Sequence, residues 1–184
     1  ASIADREYLE SVLTSLSLCT NLKELEEVER ELLAGGYLKE EKAKTRAPKR
    51  DEPTAPMGWT SSDGFPIFAG RNNRQNEHLT LHVGKDHDLW FHAKEIPGAH
   101  VLVRTGGRPV PERTLYEAAQ IAALHSKARS SANVPVDFTE CRRVRKPKGS
   151  KPGMVIYERQ RTLYVTPDPA VLDALKPLSR LEAP

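Results

Sequence analysis

Cations able to hold phosphate gather in one stretch. Between Cys141 and Arg161 stand Arg142, Arg143, Arg145, Lys146, Lys148, Lys151, Arg159 and Arg161, opposed by Glu158 alone. Neutralising phosphates with such side chains releases condensed counterions, so a nucleic acid held this way binds in a salt-dependent manner. Pro147, Gly149, Pro152 and Gly153 make the stretch a loop between strands, and its glycines let backbone N–H groups approach phosphate oxygens. The same composition also describes a merely solvated loop. Lys146, Lys148, Lys151 and Arg145 are its candidate contacts.

A second candidate is Gly70-Arg71-Asn72-Asn73-Arg74-Gln75-Asn76. Arginine can fork onto phosphate or stack on a base, and Asn and Gln offer both donors and acceptors. A helix beginning here would add its N-terminal N–H groups as an anion site. Asparagines also cap helices and hold turns by bonding their own backbone. The expectation is a mixture, with Arg71 and Arg74 outward, Asn72 a polar contact, and at least one Asn structural.

Asp88-Leu89-Trp90-Phe91-His92-Ala93-Lys94 alternates. On a strand, Leu89, Phe91 and Ala93 share the core face, and Asp88, Trp90, His92 and Lys94 share the other. The second set could form an RNA-facing strip with Trp90 as a stacking platform. The alternative buries Trp90 under a helix. His100 comes near His92 if the strands on either side of Pro97-Gly98 pair.

Catalytic and metal chemistry find little to use. Six histidines are scattered, and only His78 and His82 have a spacing that places two on one face. Zinc sites ordinarily need at least a third protein ligand and a held outer shell. Ser61, His100 and Asp88 could be assembled into a nucleophile, base and acid, but three such types occur in nearly any chain. Gly64 to Gly70 lacks the Lys and Ser or Thr of a phosphate loop. No cofactor is implied, and the chain is expected not to be an enzyme in its own right.

The elements that must position these residues are legible in outline. Ile3, Leu9, Val12, Leu13 and Leu16 recur at helical spacing. After a break at Cys19-Thr20-Asn21, Asn21 can cap a second helix with Glu24 three residues on. Leu22, Leu25, Val28, Leu32 and Leu33 form its apolar face, and Gly35-Gly36 stops it. No helix-start signal is evident in the opening residues, which suggests entry inside a longer helical arm. Residues 39–56 are charged and then Pro-rich, as in a linker. Strands are expected near 58–61, 66–69, 89–93, 100–104, 136–140, 155–158 and 162–166, with Asp63-Gly64 turning the first two into a hairpin. Pro111 opens a helix whose Leu115, Ala118, Ala119, Ala122 and Ala123 give a small-residue face able to lie close to a sheet. Residues 75–83 could be strand or helix, and the Asn-rich entry favours helix. The sum is an α+β fold, a mostly antiparallel sheet with one main packed helix, preceded by a short helical segment. The expected organisation is 1–38 helical, 39–56 linker and 57–184 the binding domain.

Composition sets the class. The 184 residues carry 29% charged and 38% hydrophobic residues, enough for a packed core. No run reaches the roughly 18 apolar residues of a membrane span and no signal peptide opens the chain, so a cytoplasmic location without membrane is expected. Cys19 and Cys141 are too isolated for a disulfide framework or a Cys-x-x-Cys site. The net charge of +3 conceals a division. Residues 1–41 hold ten acids against four bases, leaving 24 bases against 15 acids in 42–184, a surplus of +9 that suits a polyanion.

Four segments in order resemble the RNA-binding (NFACT-R) domain of the NFACT family. They are Asp63-Gly64-Phe65 with 70–76, Asp88 to Lys94, Pro97-Gly98-Ala99-His100-Val101, and Arg145-Lys146-Pro147-Lys148-Gly149-Ser150-Lys151-Pro152-Gly153-Met154-Val155. The similarity covers roughly 57–167, and residues 1–38 look like the end of that family's coiled coil. The resemblance implies a fragment of a ribosome quality control factor that binds obstructed large ribosomal subunits (rRNA) and tRNA or peptidyl-tRNA. Such factors support template-free tailing of stalled chains, with alanine in bacteria. Asp5-Arg6 resembles an Asp-Arg pair needed for tailing, but it lies in the helical arm and is not taken as that motif. Bacterial members were historically called fibronectin-binding proteins, so an adhesin or protein-interaction module binding fibronectin is the alternative.

Overall fold

The computed structural model describes residues 2–40, 54–178 and 184. Most of the expected linker, 41–53, lies outside the described residues. The chain opens with an antiparallel-looking pair of helices, α1 (Ile3–Leu18) and α2 (Leu22–Ala34). Ser2 caps α1 through a capping box with Asp5, so a start signal exists after all; Asp in place of Glu or Gln at its third position concealed it. Asn21 caps α2 by accepting from the Glu24 N–H, as its spacing predicts. Tyr8, Val12 and Val28 are the buried heart of this hairpin. Among the described residues, no helix is long and apolar enough to cross a membrane.

The rest is an α+β unit. Its strands are β1 (Met57–Thr60), β2 (Pro66–Ala69), β3 (Leu89–Ala93), β4 (Val101–Val103), β5 (Val134–Glu140), β6 (Val144–Arg145), β7 (Ile156–Tyr157), β8 (Arg161–Val165) and β9 (Lys176–Pro177). Seven form one antiparallel sheet in the order β8-β5-β3-β4-β2-β1-β9, and β6 pairs with β7 separately. Gly64, at φ 87°, turns β1 into β2 at the expected Asp63-Gly64 site. Helix α4 (Glu112–Leu124) begins just after Pro111, which serves as its cap rather than its first residue.

Both sheet faces are covered, by different means. Ala118, Ala119, Ala122 and Ala123 let α4 lie close over Phe91, Ala93, Val101 and Val103. Each buried Val, Leu or Phe there contributes about 1.5–3 kcal/mol. The opposite face carries Phe68, Trp90 and Leu102 beneath Leu79, Cys141 and Val144. Its cover comes from α3 (Asn73–His78), which runs into a π-helical turn at Leu79–Val83, and from the 144–157 segment. The helical choice for 75–83 is therefore correct, and α5 (Pro169–Asp173) follows the last long strand.

Candidate nucleic-acid interface

The polar run 70–76 mostly faces inward. Asn72 is the cap of α3, its Oδ1 accepting from the Gln75 N–H at 2.9 Å while its Nδ2 reaches Glu27 at 3.1 Å. Asn73 donates to Ser11 and to Glu31, and Glu31 also accepts from the buried Tyr8 hydroxyl at 2.5 Å. Arg71 pairs with Glu24 at 2.7 Å and donates to the Ala55 carbonyl. Glu24, Glu27 and Glu31 share one face of α2 by their spacing, and that acidic stripe docks the hairpin onto the run. Arg71 and Asn72 are thus corrected from outward contacts to docking residues, because the acids of α2 satisfy them. Arg74 alone points out, exposed on α3.

The basic loop divides likewise. Lys146 reaches both carboxylate oxygens of Glu77 at 2.8 and 2.9 Å, and the Gly153 N–H donates to the same group at 2.9 Å. Glu77 therefore ties the start and end of the loop to α3. Lys151 sits 3.4 Å from Asp5 and 5.3 Å from the centre of the Tyr37 ring. Hydrogen bonds from Ser2, with help from Tyr37 and Lys151, hold the Asp5 carboxyl down to about 2. Arg142 and Arg143 pair with Glu140 and Glu158. Of the candidate contacts, Arg74, Arg145, Lys148 and, at the end of β3, Lys94 are exposed cations with no ion pair among the described residues. Arg74 stands one helical turn before Glu77, and Arg145 and Lys148 flank the Lys146 that Glu77 holds.

Trp90 is not a stacking platform. Its ring is 1% exposed, parallel to His92 at 5.7 Å, edge-on to His100 at 5.3 Å and 4.8 Å from Tyr157. The indole N–H donates to Thr80 Oγ1 at 3.1 Å, and that hydroxyl lies 2.7 Å from His100 Nδ1. The Thr80 hydroxyl can donate to His100 Nδ1 while it accepts from Trp90, an arrangement that suits a neutral His100 ring. Burial pushes the His100 pKa well below its ordinary value, and His92 adds to this. Burial lowers His92 too. Neither ring supplies a cation to phosphate at neutral pH. The expected approach of His92 and His100 is present, at 5.3 Å between ring centres.

The remaining candidates for chemistry do not converge. Ser61 bonds Thr114 and the Phe65 N–H, Asp88 accepts from the Lys85 and Thr105 N–H groups, and His100 bonds Thr80, three separate networks. The His78 and His82 rings lie 5.5 Å apart, but among the described residues no group of three or more His, Cys, Asp or Glu is placed to hold a metal. Glu77, Thr80 and Tyr157 were not singled out from the sequence, where nothing marks their partners. The acidic stripe of α2 was visible as spacing alone.

Residues 56–158, which contain the 70–76 run and the basic loop, match the model of the NFACT protein RNA binding domain. This chain belongs to the NFACT family. It is 42% identical over 172 residues to the Rqc2 homolog RqcH of Bacillus subtilis (strain 168), covering 92% of this chain and 29% of that protein. Against the Rqc2 homolog RqcH of Streptococcus suis (strain 05ZYH33) it is 42% identical over 170 residues, 92% of this chain and 30% of that protein. The chain thus spans less than a third of the curated NFACT relatives it matches. The fold resembles the C-terminal part of the fibronectin/fibrinogen-binding protein from Streptococcus suis, with a TM-score of 0.84 and 39% identity over 94% of this chain and 68% of that one. All three matches extend beyond 56–158, so the resemblance to NFACT relatives takes in the docked helices as well as the RNA-binding domain.

Proposed function

We propose that this NFACT chain anchors a ribosome quality control factor to RNA on obstructed large ribosomal subunits, with tRNA or peptidyl-tRNA as a further partner. The observation that carries this reading is the group of unpaired cations, Arg74, Arg145 and Lys148, around the Glu77-tied loop inside the family's RNA-binding segment. Phosphate contacts of this kind position a nucleic acid without reading its sequence. The chain works in the cytoplasm as a binding module and is not itself an enzyme; template-free tailing, with alanine in bacteria, belongs to the larger factor.

The test is binding of the chain to purified large subunits and to free tRNA across a salt series, with and without Arg145→Ala plus Lys148→Ala. Tight, salt-sensitive binding that weakens in the double variant is expected. A folded chain that binds neither RNA at low salt refutes the reading. The likeness to the Streptococcus suis fibronectin/fibrinogen-binding protein supports a second reading, a fibronectin-binding module. That reading predicts fibronectin binding unchanged by the same substitutions.

A further inference from the structure

Between α1 and the sheet lies a pocket of about 450 Å³, within the ~300–1,000 Å³ range of small-ligand sites. Half-buried His92 and Tyr157 present its aromatic floor, with Trp90 and His100 buried against them. Burial keeps both imidazoles neutral, so the floor offers no charge to a phosphate. Around it stand Glu7, Glu10 and Glu95 against the single cation Arg6. Glu95 lines the pocket from a left-handed backbone at φ 53°, a strained conformation for a residue with a side chain and one that clusters at functional sites. Gly153, Met154 and Val155 close one end, and they continue directly from the loop that carries Arg145 and Lys148.

We infer that this pocket receives an unpaired, amino-bearing nucleobase of the RNA whose phosphates lie along the Arg145–Lys148 loop. The inference rests on the RNA-binding function proposed above. Uncharged aromatic and imidazole surfaces suit the plane of an unstacked base. Acidic side chains accept hydrogen bonds from exocyclic amino groups, as they do from cytosine N4, and they repel phosphate. The pocket therefore reads a base, while the neighbouring loop holds the backbone. Uracil has no exocyclic amino group and is the disfavoured occupant.

The full chain is titrated with single-stranded oligoadenylate, oligocytidylate and oligouridylate of equal length. Oligoadenylate and oligocytidylate are expected to bind about tenfold more tightly than oligouridylate, the scale of one specific base contact. Glu10→Gln with Glu95→Gln, both at exposed positions, should abolish that preference without weakening oligouridylate. Arg145→Ala with Lys148→Ala should weaken all three alike. Saturating adenosine should shift the His92 and His100 ring resonances of the wild-type chain. Salt-sensitive binding with equal affinity for the three oligomers overturns the pocket and leaves the RNA module standing; no binding to any of them overturns the RNA module. Ring resonances that move with free arginine and not with adenosine overturn the base in favour of a basic protein side chain.

Discussion

Lys146 and Lys148 are two residues apart in one basic loop, yet they should fail differently when neutralised. Lys146 is bound to both oxygens of Glu77, which also accepts from the Gly153 N–H. Its side chain is 28% exposed and that of Glu77 24%, so water screens the pair only in part. Hydrogen bonds to charged groups are worth about 1.5–3 kcal/mol each, and partial exposure reduces this. Glu77→Ala removes the whole tie and should destabilise the chain by about 2 kcal/mol. For a chain of this size that lowers Tm by roughly 4–8 °C. Lys146→Met removes one arm and should take away about half as much. Lys148→Met touches no described partner and should leave stability within about 0.5 kcal/mol. In RNA binding the order reverses. Loss of one phosphate contact flattens the salt slope by about 0.7–0.9, roughly a fivefold loss of affinity at ~0.1 M salt. Thermal unfolding and RNA titration of the same three variants measure both quantities. If Lys146→Met weakens RNA binding more than Lys148→Met while leaving Tm unchanged, the division of the loop into tie and contact is wrong.

Other expectations follow from single contacts. Gly70→Ala places a Cβ against the Asn76 side chain and 2.7 Å from its backbone nitrogen, and Asn76 in turn accepts from the His100 N–H. A loss of about 3 kcal/mol in urea unfolding is expected, at the upper end for overpacking. Arg71→Met leaves Glu24, 5% exposed, with only its Thr20 and Asn21 bonds. A destabilisation of about 2 kcal/mol with faster proteolysis of α1 and α2 is expected, and an intact hairpin would refute its docking role. His92, His100 and His125 are all lowered from 6.5, chiefly by burial. Below about pH 6.5 the unfolded chain binds more protons than the folded one, so stability is fully present above that pH and falls as acid is added. Urea midpoints that stay level between about pH 7.5 and 5.5 would contradict this.

The parts of the site that were legible in the sequence are those fixed by local period. Leu89, Phe91 and Ala93 had to share a face because a strand alternates, and α4 found them through its alanines. The small glycine turn at Asp63-Gly64 was equally local. Trp90 was not decided by the same alternation, because its neighbours arrive from α3 and from 144–157, segments distant in sequence. Asn72 and Arg71 have donors that suit a phosphate and a carboxylate equally well. Their partners lie on α2, more than 40 residues earlier, and only the fold brings the two together. The distinction between Lys146 and Lys148 has the same origin, since Glu77 is 69 residues from the lysine it holds.

The docking of α2 has a mechanical consequence. Arg71, Asn72, Asn73 and Gln75 grip its acids through side-chain hydrogen bonds and one ion pair. Bonds of this sort exchange readily for water, so the two helices form a lever clamped at its base by polar fingers and not a strut welded into the core. Force applied along α1 would be delivered to Asn73 through Ser11 and to Lys151 through Asp5, both at the Gly153 end of the basic loop.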